Sequence, residues 1–313
     1  MLKTCGGRAL GHESGRPAFG RIAWAAAVAV TGCLAAAPAR ANASYAFGGE
    51  LVGGFEITSP VQLGTLQSSQ TSNLASFDGY GSQSTSAPLD ALQAFVGPAT
   101  PTPQNDFAPY GTAPGSYARA DSLVSNVSSA TVAEDNGVNT APGKATASGS
   151  MTFQVDAIAN RAILIEFGVS ALLRAAVQSA GGNAVVDGGA SMSTVISVFQ
   201  GSTLLMRWTP DGDTAADPGS ALTVLSGSVF GVVDPTTLNT YVLCQLQGAP
   251  ACNRQYLAQG TFVIGYTPTV GGVLTVDFSA ETSTQIVPEP APLAVLAAAT
   301  ATLALARRRT VTR

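Results

Sequence analysis

Histidine is nearly absent from this sequence, because the single histidine, His12, lies close to the N-terminus. Residues 42–287 therefore contain none. This absence excludes Ser-His-Asp and Cys-His nucleophile systems, histidine general bases and His-ligated zinc from that part of the chain. Enzymes that work with paired carboxylates need no histidine, so a glycosidase is not excluded on the same ground.

Basic side chains are also scarce. Residues 42–287 contain six Lys or Arg against seventeen Asp or Glu, a net charge of −11. Because contacts to phosphates need a clustered basic surface, nucleic-acid binding is excluded. An acidic, lysine-poor surface is typical of a soluble secreted protein and could attract divalent cations. We predict no cofactor.

Only two cysteines and one tryptophan occur in residues 42–287. Cys244 and Cys252 flank a loop that contains Gly248 and Pro250, which favour a turn. In an oxidising compartment the pair predicts a disulfide that closes a nine-residue loop and pins two strands; free thiols or a metal pair are the alternatives. Trp208 is interpreted as a core or turn residue rather than as a platform for stacking sugars.

The N-terminal residues have the pattern of an export leader. A basic residue, Arg21, precedes the apolar run 22–30, and small-x-small cleavage sites follow at 39–41 and 41–43. We therefore predict a signal peptide over residues 1–41, forming a helix. Residues 30–33 look like a lipoprotein cleavage box, so lipidation of Cys33 with anchoring at a membrane is the alternative.

Residues 42–116 are rich in Ser, Gly and Pro. We predict a partly irregular segment, with a glycine-broken strand at 45–57 and loop or disorder in most of the rest. The best helix candidate is 86–95, where Ser86 is placed to cap and Pro88 lies in the first turn.

Residues 117–286 alternate between apolar and polar positions. Short runs separated by turn signals, such as Gln200-Gly201-Ser202 and Gly271-Gly272, recur at 151–155, 163–169, 193–199, 203–208, 222–233, 241–245, 261–266 and 273–278. This period of two predicts an all-β domain, a β-sandwich or jelly roll. The flanks of 172–177 favour a strand edge over a helix.

The last 27 residues combine three ordered features. A short motif comes first, then the apolar run 291–306, then a basic stop formed by Arg307, Arg308 and Arg309. As a helix, the sixteen apolar residues would span roughly 24 Å, slightly short of a hydrocarbon core of about 30 Å. The motif consists of Val287, Pro288, Glu289 and Pro290.

This tail resembles the PEP-CTERM sorting signal, which is read by exosortases, transpeptidase-like membrane enzymes of bacteria that make extracellular polysaccharide. The resemblance covers residues 287–313 and implies a short transmembrane helix that anchors the chain in the inner membrane until the motif is cleaved. It implies where the protein is delivered and implies no activity.

A second resemblance covers much of the strand region. The segments 117–122 (Tyr-Ala-Arg-Ala-Asp-Ser), 133–136 (Ala-Glu-Asp-Asn) and 207–212 (Arg-Trp-Thr-Pro-Asp-Gly) are similar to the EDSAP-type subgroup of PEP-CTERM proteins. The similarity implies a secreted β-rich domain. It supplies no catalytic residues.

Three groups of acidic residues are candidate binding or catalytic sites. Asp211, Asp213 and Asp217 form a weak candidate for Ca²⁺, because they lack EF-hand spacing and suit a polar hairpin turn. Glu134 with Asp135, and Asp156 with Glu166, are interpreted as solvated strand faces rather than catalytic pairs. Ice binding would need regular threonine rows, and the sequence has no fixed repeat.

We therefore expect an exported, non-enzymatic protein of the cell surface or extracellular matrix, sorted and cleaved by an exosortase. Its partners during export would be signal peptidase and the exosortase, and extracellular polysaccharide is a possible partner afterwards. The alternatives are a carbohydrate-binding module of the matrix and, third, a carboxylate-based polysaccharide hydrolase.

Overall fold

The computed structural model describes residues 43–88, 92–97, 109, 116–138, 142–178, 186–213, 221–246 and 251–288. Every long regular element in these ranges is a strand, which confirms the predicted all-β fold. The described ranges accordingly offer no helix of the length and apolarity needed to cross a bilayer. The predicted signal helix and C-terminal membrane helix lie outside them.

The described residues form fifteen strands in chain order. They are β1 (Ala43–Thr58), β2 (Thr65–Phe77), β3 (Gly81–Ala87), β4 (Leu92–Val96), β5 (Tyr117–Val124), β6 (Ser129–Val138), β7 (Gly143–Ala157), β8 (Ile163–Gln178), β9 (Val186–Gln200), β10 (Thr203–Trp208), β11 (Leu222–Val224), β12 (Ser228–Val233), β13 (Thr240–Cys244), β14 (Ala251–Thr267) and β15 (Gly272–Pro288).

Two antiparallel sheets contain these strands. The seven-stranded sheet has the order β12-β14-β8-β1-β6-β5-β4, and the eight-stranded sheet has the order β11-β10-β9-β15-β7-β2-β3, with β13 also paired to β9. Packing between the inner faces of the two sheets gives a β-sandwich arrangement. The first described strand, β1, and the last, β15, both lie inside their sheets rather than at an edge.

Alternation of side chains explains why these residues form strands. Along β8, buried residues such as Ile163, Ile165 and Phe167 alternate with half-buried or exposed ones over the whole strand. Burying every second side chain is what a sheet with one covered face requires. The segment 172–177 continues this pattern, and it lies between β14 and β1 rather than at a sheet edge.

The interior holds two apolar clusters of different character. The larger contains an aromatic group in which Phe167 stacks on Phe262 at 5.3 Å between ring centroids and lies 6.0 Å from Trp208. The smaller cluster lies among β2, β4, β5, β6 and β7 and consists mainly of alanine. Small side chains let the two sheets approach closely at that end.

The strand predicted at 45–57 is confirmed, because it lies within β1, but the loop or disorder predicted for most of the rest of residues 42–116 was wrong where the structure describes them. Four strands, β1 to β4, arise within that segment, and the predicted helix at 86–95 is replaced by the end of β3 and most of β4. Ser86 pairs with Ser72 of β2 instead of capping a helix. The physical reason is tertiary: hydrogen bonding to neighbouring strands overrides a weak local helix preference.

Candidate functional site

Two of the sequence motifs become neighbours in the seven-stranded sheet. Residues 117–122 belong to β5 and residues 133–136 to β6, and the register places Arg119 opposite Glu134. The alternate residues Ala118, Ala120 and Ala133 point into the alanine-rich cluster. The charged side chains therefore lie on the other side of the same sheet.

Arg119 is the centre of a buried ionic network on that side. Its Nη1 lies 3.2 Å from Glu134 Oε2, and its Nε and Nη2 contact Asp121 Oδ2. From β1, the Tyr45 hydroxyl donates to Glu134 Oε1 at 2.8 Å. Arg119 and Glu134 are both 0% exposed. We call Tyr45, Tyr117, Arg119, Asp121 and Glu134 the Arg119 network.

Burial dominates the electrostatics of the Arg119 network. It raises the pKa of Tyr45 well above the usual value and raises the pKa of Tyr117 as well, with the Glu134 charge adding to both shifts. Burial also raises the pKa of Asp121, and the neighbouring Arg119 partly offsets that rise. Because Glu134 of β6 is held by Arg119 of β5 and Tyr45 of β1, the network joins these three strands.

The interpretation of Glu134 and Asp135 as solvated was wrong, since both are 0% exposed. Asp135 points the opposite way from Glu134, into the sandwich, where burial raises its pKa well above the usual value. Strand pairing on both sides of β6, with β1 and β5, places these residues well inside the sheet. A single sequence gives no direct sign of such a position.

A second acid lies buried between the sheets. The Thr194 hydroxyl of β9 donates to Glu50 Oε1 of β1 at 2.5 Å, and Glu50 is 2% exposed. Burial raises the pKa of Glu50 to about 8, and the hydrogen bond from Thr194 opposes the rise. Glu50 therefore holds a proton at neutral pH.

The second pair of acids, Asp156 and Glu166, does not come together. Asp156 belongs to β7 and Glu166 to β8, which are in different sheets. Asp156 accepts a hydrogen bond from Gln62 Nε2 at 2.9 Å, while Glu166 is exposed, opposite Glu56 of β1. Their strands belong to opposite layers, so no substrate bond can lie between them as a carboxylate pair requires.

An open groove of about 680 Å³ lies where β1 bulges near Gly54. Its lining includes Phe55, Leu63, Val127 and a single charged residue, Glu56. One carboxylate without an acid or base partner is not a catalytic constellation.

Trp208 is buried, with 2% of its surface exposed, between Phe167 and Phe262. This agrees with the core interpretation. Its ring cannot serve as a platform for a sugar without unpacking the larger apolar cluster.

The Asp211 region is a turn held by its own hydrogen bonds. The Asp211 backbone N–H donates to Asp234 Oδ2 at 2.8 Å, and the Asp213 N–H donates to Asp211 Oδ1 at 3.1 Å. Burial raises the pKa of Asp234 to about 6. Asp217 lies outside the described residues, among which no cluster of three possible metal ligands occurs.

Cys244 and Cys252 form the predicted disulfide. Cys244 ends β13, which pairs with β9 of the eight-stranded sheet, and Cys252 lies in β14 of the seven-stranded sheet. The bond therefore links the two layers of the sandwich.

We expect the double variant Cys244→Ala/Cys252→Ala to lose about 2–3 kcal/mol of unfolding free energy, the loop-closure contribution of a nine-residue loop. Urea denaturation without reductant measures the loss. Reduced wild type serves as the control and should unfold at nearly the same urea concentration as the variant. Equal midpoints for the variant and the oxidised wild type would contradict a stabilising role.

The start of the predicted sorting motif is part of the sandwich. Val287 and Pro288 are the last residues of β15 and pair with Asp187 and Val186 of β9. Glu289, Pro290 and the basic stop Arg307–Arg309 lie outside the described residues. The strand therefore runs directly into the motif without an intervening linker.

The outward side of the eight-stranded sheet carries rows of hydroxyl groups, which no motif in the sequence indicated. Cross-strand register defines three adjacent rows, which together we call the hydroxyl face. The first row contains Ser84, Leu74, Thr146, Ser283 and Ser191. The second contains Ser86, Ser72, Ser148, Glu281 and Ser193. The third contains Gln70, Ser150, Ser279 and Val195.

Comparison with protein-family models, with curated proteins and with solved structures finds no match to this chain.

Proposed function

We propose that this chain is an exported, non-enzymatic protein of the cell surface or extracellular matrix, sorted and cleaved by an exosortase. The observation that carries the proposal is the ordered tail: the motif Val287–Pro290, the apolar run 291–306 and the basic stop Arg307–Arg309. Signal peptidase and the exosortase act on it during export, and the tail anchors it in the inner membrane only until cleavage.

The buried acids support a non-enzymatic role. Glu134 is held by Arg119 and Tyr45, and Glu50 is enclosed beside Thr194. The groove near Gly54 has one carboxylate, Glu56. Glu50 and Glu134 are enclosed, and Glu166, the exposed acid opposite Glu56, does not line the groove, so none of these acids forms the pair across a substrate bond that hydrolysis of a glycosidic bond requires.

The disulfide supports export, because such bonds persist in oxidising compartments. The position of β15 supports the sorting step. Since β15 ends within the motif, cleavage there would remove the tail and leave the sandwich strands intact.

Mass spectrometry of the natively exported protein tests the proposal. We expect the mature C-terminus to lie at the Pro-Glu-Pro motif, with residues 291–313 missing from its peptides. The variant Glu289→Ala should retain the tail and accumulate in the membrane fraction. A matched control, Glu281→Ala, changes an exposed acid of β15 and should be processed normally. A mature secreted form that ends at Arg313 would refute sorting by cleavage.

A further inference from the structure

The hydroxyl face combines five strands that are distant in sequence. Ser72 of β2, Ser148 of β7, Glu281 of β15 and Ser193 of β9 are direct cross-strand neighbours, although they span more than two hundred residues of chain. Neighbouring strands lie about 4.8 Å apart, and successive outward residues on one strand about 6.8 Å apart. The side chains therefore form a two-dimensional array with regular spacing.

Ten of the fourteen side chains in the hydroxyl face are serine or threonine, and the only charge among the fourteen is Glu281. A hydroxyl can donate one hydrogen bond and accept two, so it adapts to a partner that presents both donors and acceptors. The face is nearly neutral in a protein whose residues 42–287 carry a charge of −11. Charge is thus depleted where the array lies.

The hydroxyls are accessible. Ser72, Ser86, Ser193 and Ser279 are exposed, and the central Ser148 is half-buried. Some of the hydroxyls already have partners: those of Ser191 and Ser283 lie 2.7 Å apart and Ser193 donates to Asn239 Oδ1 at 2.9 Å, while Ser148 reaches a β2 backbone carbonyl only at 3.4 Å. Most of the hydrogen-bonding capacity of the array therefore faces outward.

We propose that the hydroxyl face binds an extended neutral polysaccharide, an inference that rests on the proposed function for its matrix setting. The alternating hydroxyl donors and acceptors of a sugar chain complement the array. Its three rows offer a polyanion no basic side chain, and the nearest one, Lys144, lies one row beyond Thr146. Each exposed hydrogen bond contributes little, so affinity needs many contacts along one polymer. Within the three rows there is no aromatic ring, but Tyr241 of β13, which is 73% exposed, lies opposite Ser191 at the end of the first row and offers one ring for stacking a sugar.

Affinity electrophoresis of the purified full-length chain tests this. Native gels would contain hydroxyethylcellulose, a neutral β-glucan, or alginate, a polyanion. We expect hydroxyethylcellulose to slow migration and alginate to leave it unchanged. The triple variant Ser148→Val/Ser150→Val/Ser279→Val removes three adjacent hydroxyls, keeps the charge and suits strands; it should bind about tenfold or more weakly.

A matched variant on the opposite sheet, Ser170→Val/Gln255→Val/Gln259→Val, should bind as wild type does, because these outward residues of β8 and β14 lie away from the hydroxyl face. Unchanged urea midpoints would show that both triple variants fold. The proposal fails if the glucan slows neither wild type nor control, if alginate slows them equally, or if the hydroxyl-face variant binds like wild type. Inhibition of ice recrystallisation without retention by glucan would assign the array to ordered water instead.

This binding assay does not depend on processing of the tail. If the chain is cut at the motif but does not bind the glucan, only the polysaccharide-binding proposal is refuted. If it binds the glucan but keeps Arg313, only the proposal of sorting by cleavage is refuted.

Discussion

The variant Arg119→Met is expected to lose about 3–5 kcal/mol of unfolding free energy, because it leaves the Asp121 and Glu134 carboxyls buried without their cation. Because a methionine side chain fills a similar volume, the loss of stability measures the removal of the positive charge rather than the creation of a cavity. For a sandwich of ordinary stability this is a large fraction of the total. Urea denaturation at neutral pH, followed by intrinsic fluorescence, gives the measurement.

Two further variants sharpen that experiment. Arg207→Met removes an exposed arginine from β10 and should change stability by less than about 0.5 kcal/mol. Arg119→Met/Asp121→Asn/Glu134→Gln neutralises the whole network and should recover most of the loss, since replacing all members of a buried ionic group is often nearly neutral. If Arg119→Met alone unfolds at the wild-type midpoint, the network does not hold β5 and β6 together.

Raising the pH is expected to destabilise the protein through Glu50. Below its ordinary pKa, 4.5, the carboxyl is protonated in both the folded and unfolded states and contributes no pH dependence. From there to about 8 the unfolded state releases the proton while the folded state keeps it, so stability falls as pH rises. At roughly 1.4 kcal/mol per unit, the full loss is on the order of 4–5 kcal/mol. Asp135 adds a loss of the same sign, because burial raises its pKa too.

The variant Glu50→Gln tests this directly, because its amide cannot ionise. Urea midpoints at about pH 5 should nearly match those of wild type, whereas at about pH 9 the variant should be more stable by roughly 3–5 kcal/mol. The control is Glu281→Gln, which changes an exposed acid of β15 and should follow the wild-type curve of stability against pH. A wild-type stability that stays flat from pH 5 to pH 9 would contradict a protonated Glu50.

The strand pattern was predictable where one side chain in two faces the interior. The runs at 163–169 and 273–278 have this pattern and lie in β8 and β15. The segment 42–116 was harder, because β2 and β3 consist largely of Ser, Thr and Gln, which are also typical of loops. Those residues become a sheet only because β2 pairs with β7 and β3 pairs with β2, and the β2–β7 partners lie between 66 residues (Phe77 and Gly143) and 89 residues (Thr65 and Gln154) apart.

The candidate sites show the same division. A disulfide follows from two cysteines and a short loop, so Cys244 and Cys252 could be paired from sequence. The burial of Glu134 could not, because charge predicts exposure unless a partner is known. Arg119 and Asp121 alternate with alanines, which is the pattern of a strand with one covered face, so nothing in this alternation indicated that the charged side is buried as well. The hydroxyl face could not be predicted from sequence, because its rows run across strands rather than along the chain.

The central positions of β1 and β15 have a consequence for how the protein folds. Ala43 to Val52 must find β6 about eighty-five residues later and β8 still further on, and β15 closes its sheet against β7 and β9. In the finished sandwich the two strands meet, since a Cβ placed on Gly48 would lie 3.5 Å from the Cβ of Thr282. Such non-local pairing gives high contact order and slow folding. The seven-stranded sheet can pair before β15 forms, but the eight-stranded sheet cannot be completed without it, because β15 lies between β9 and β7.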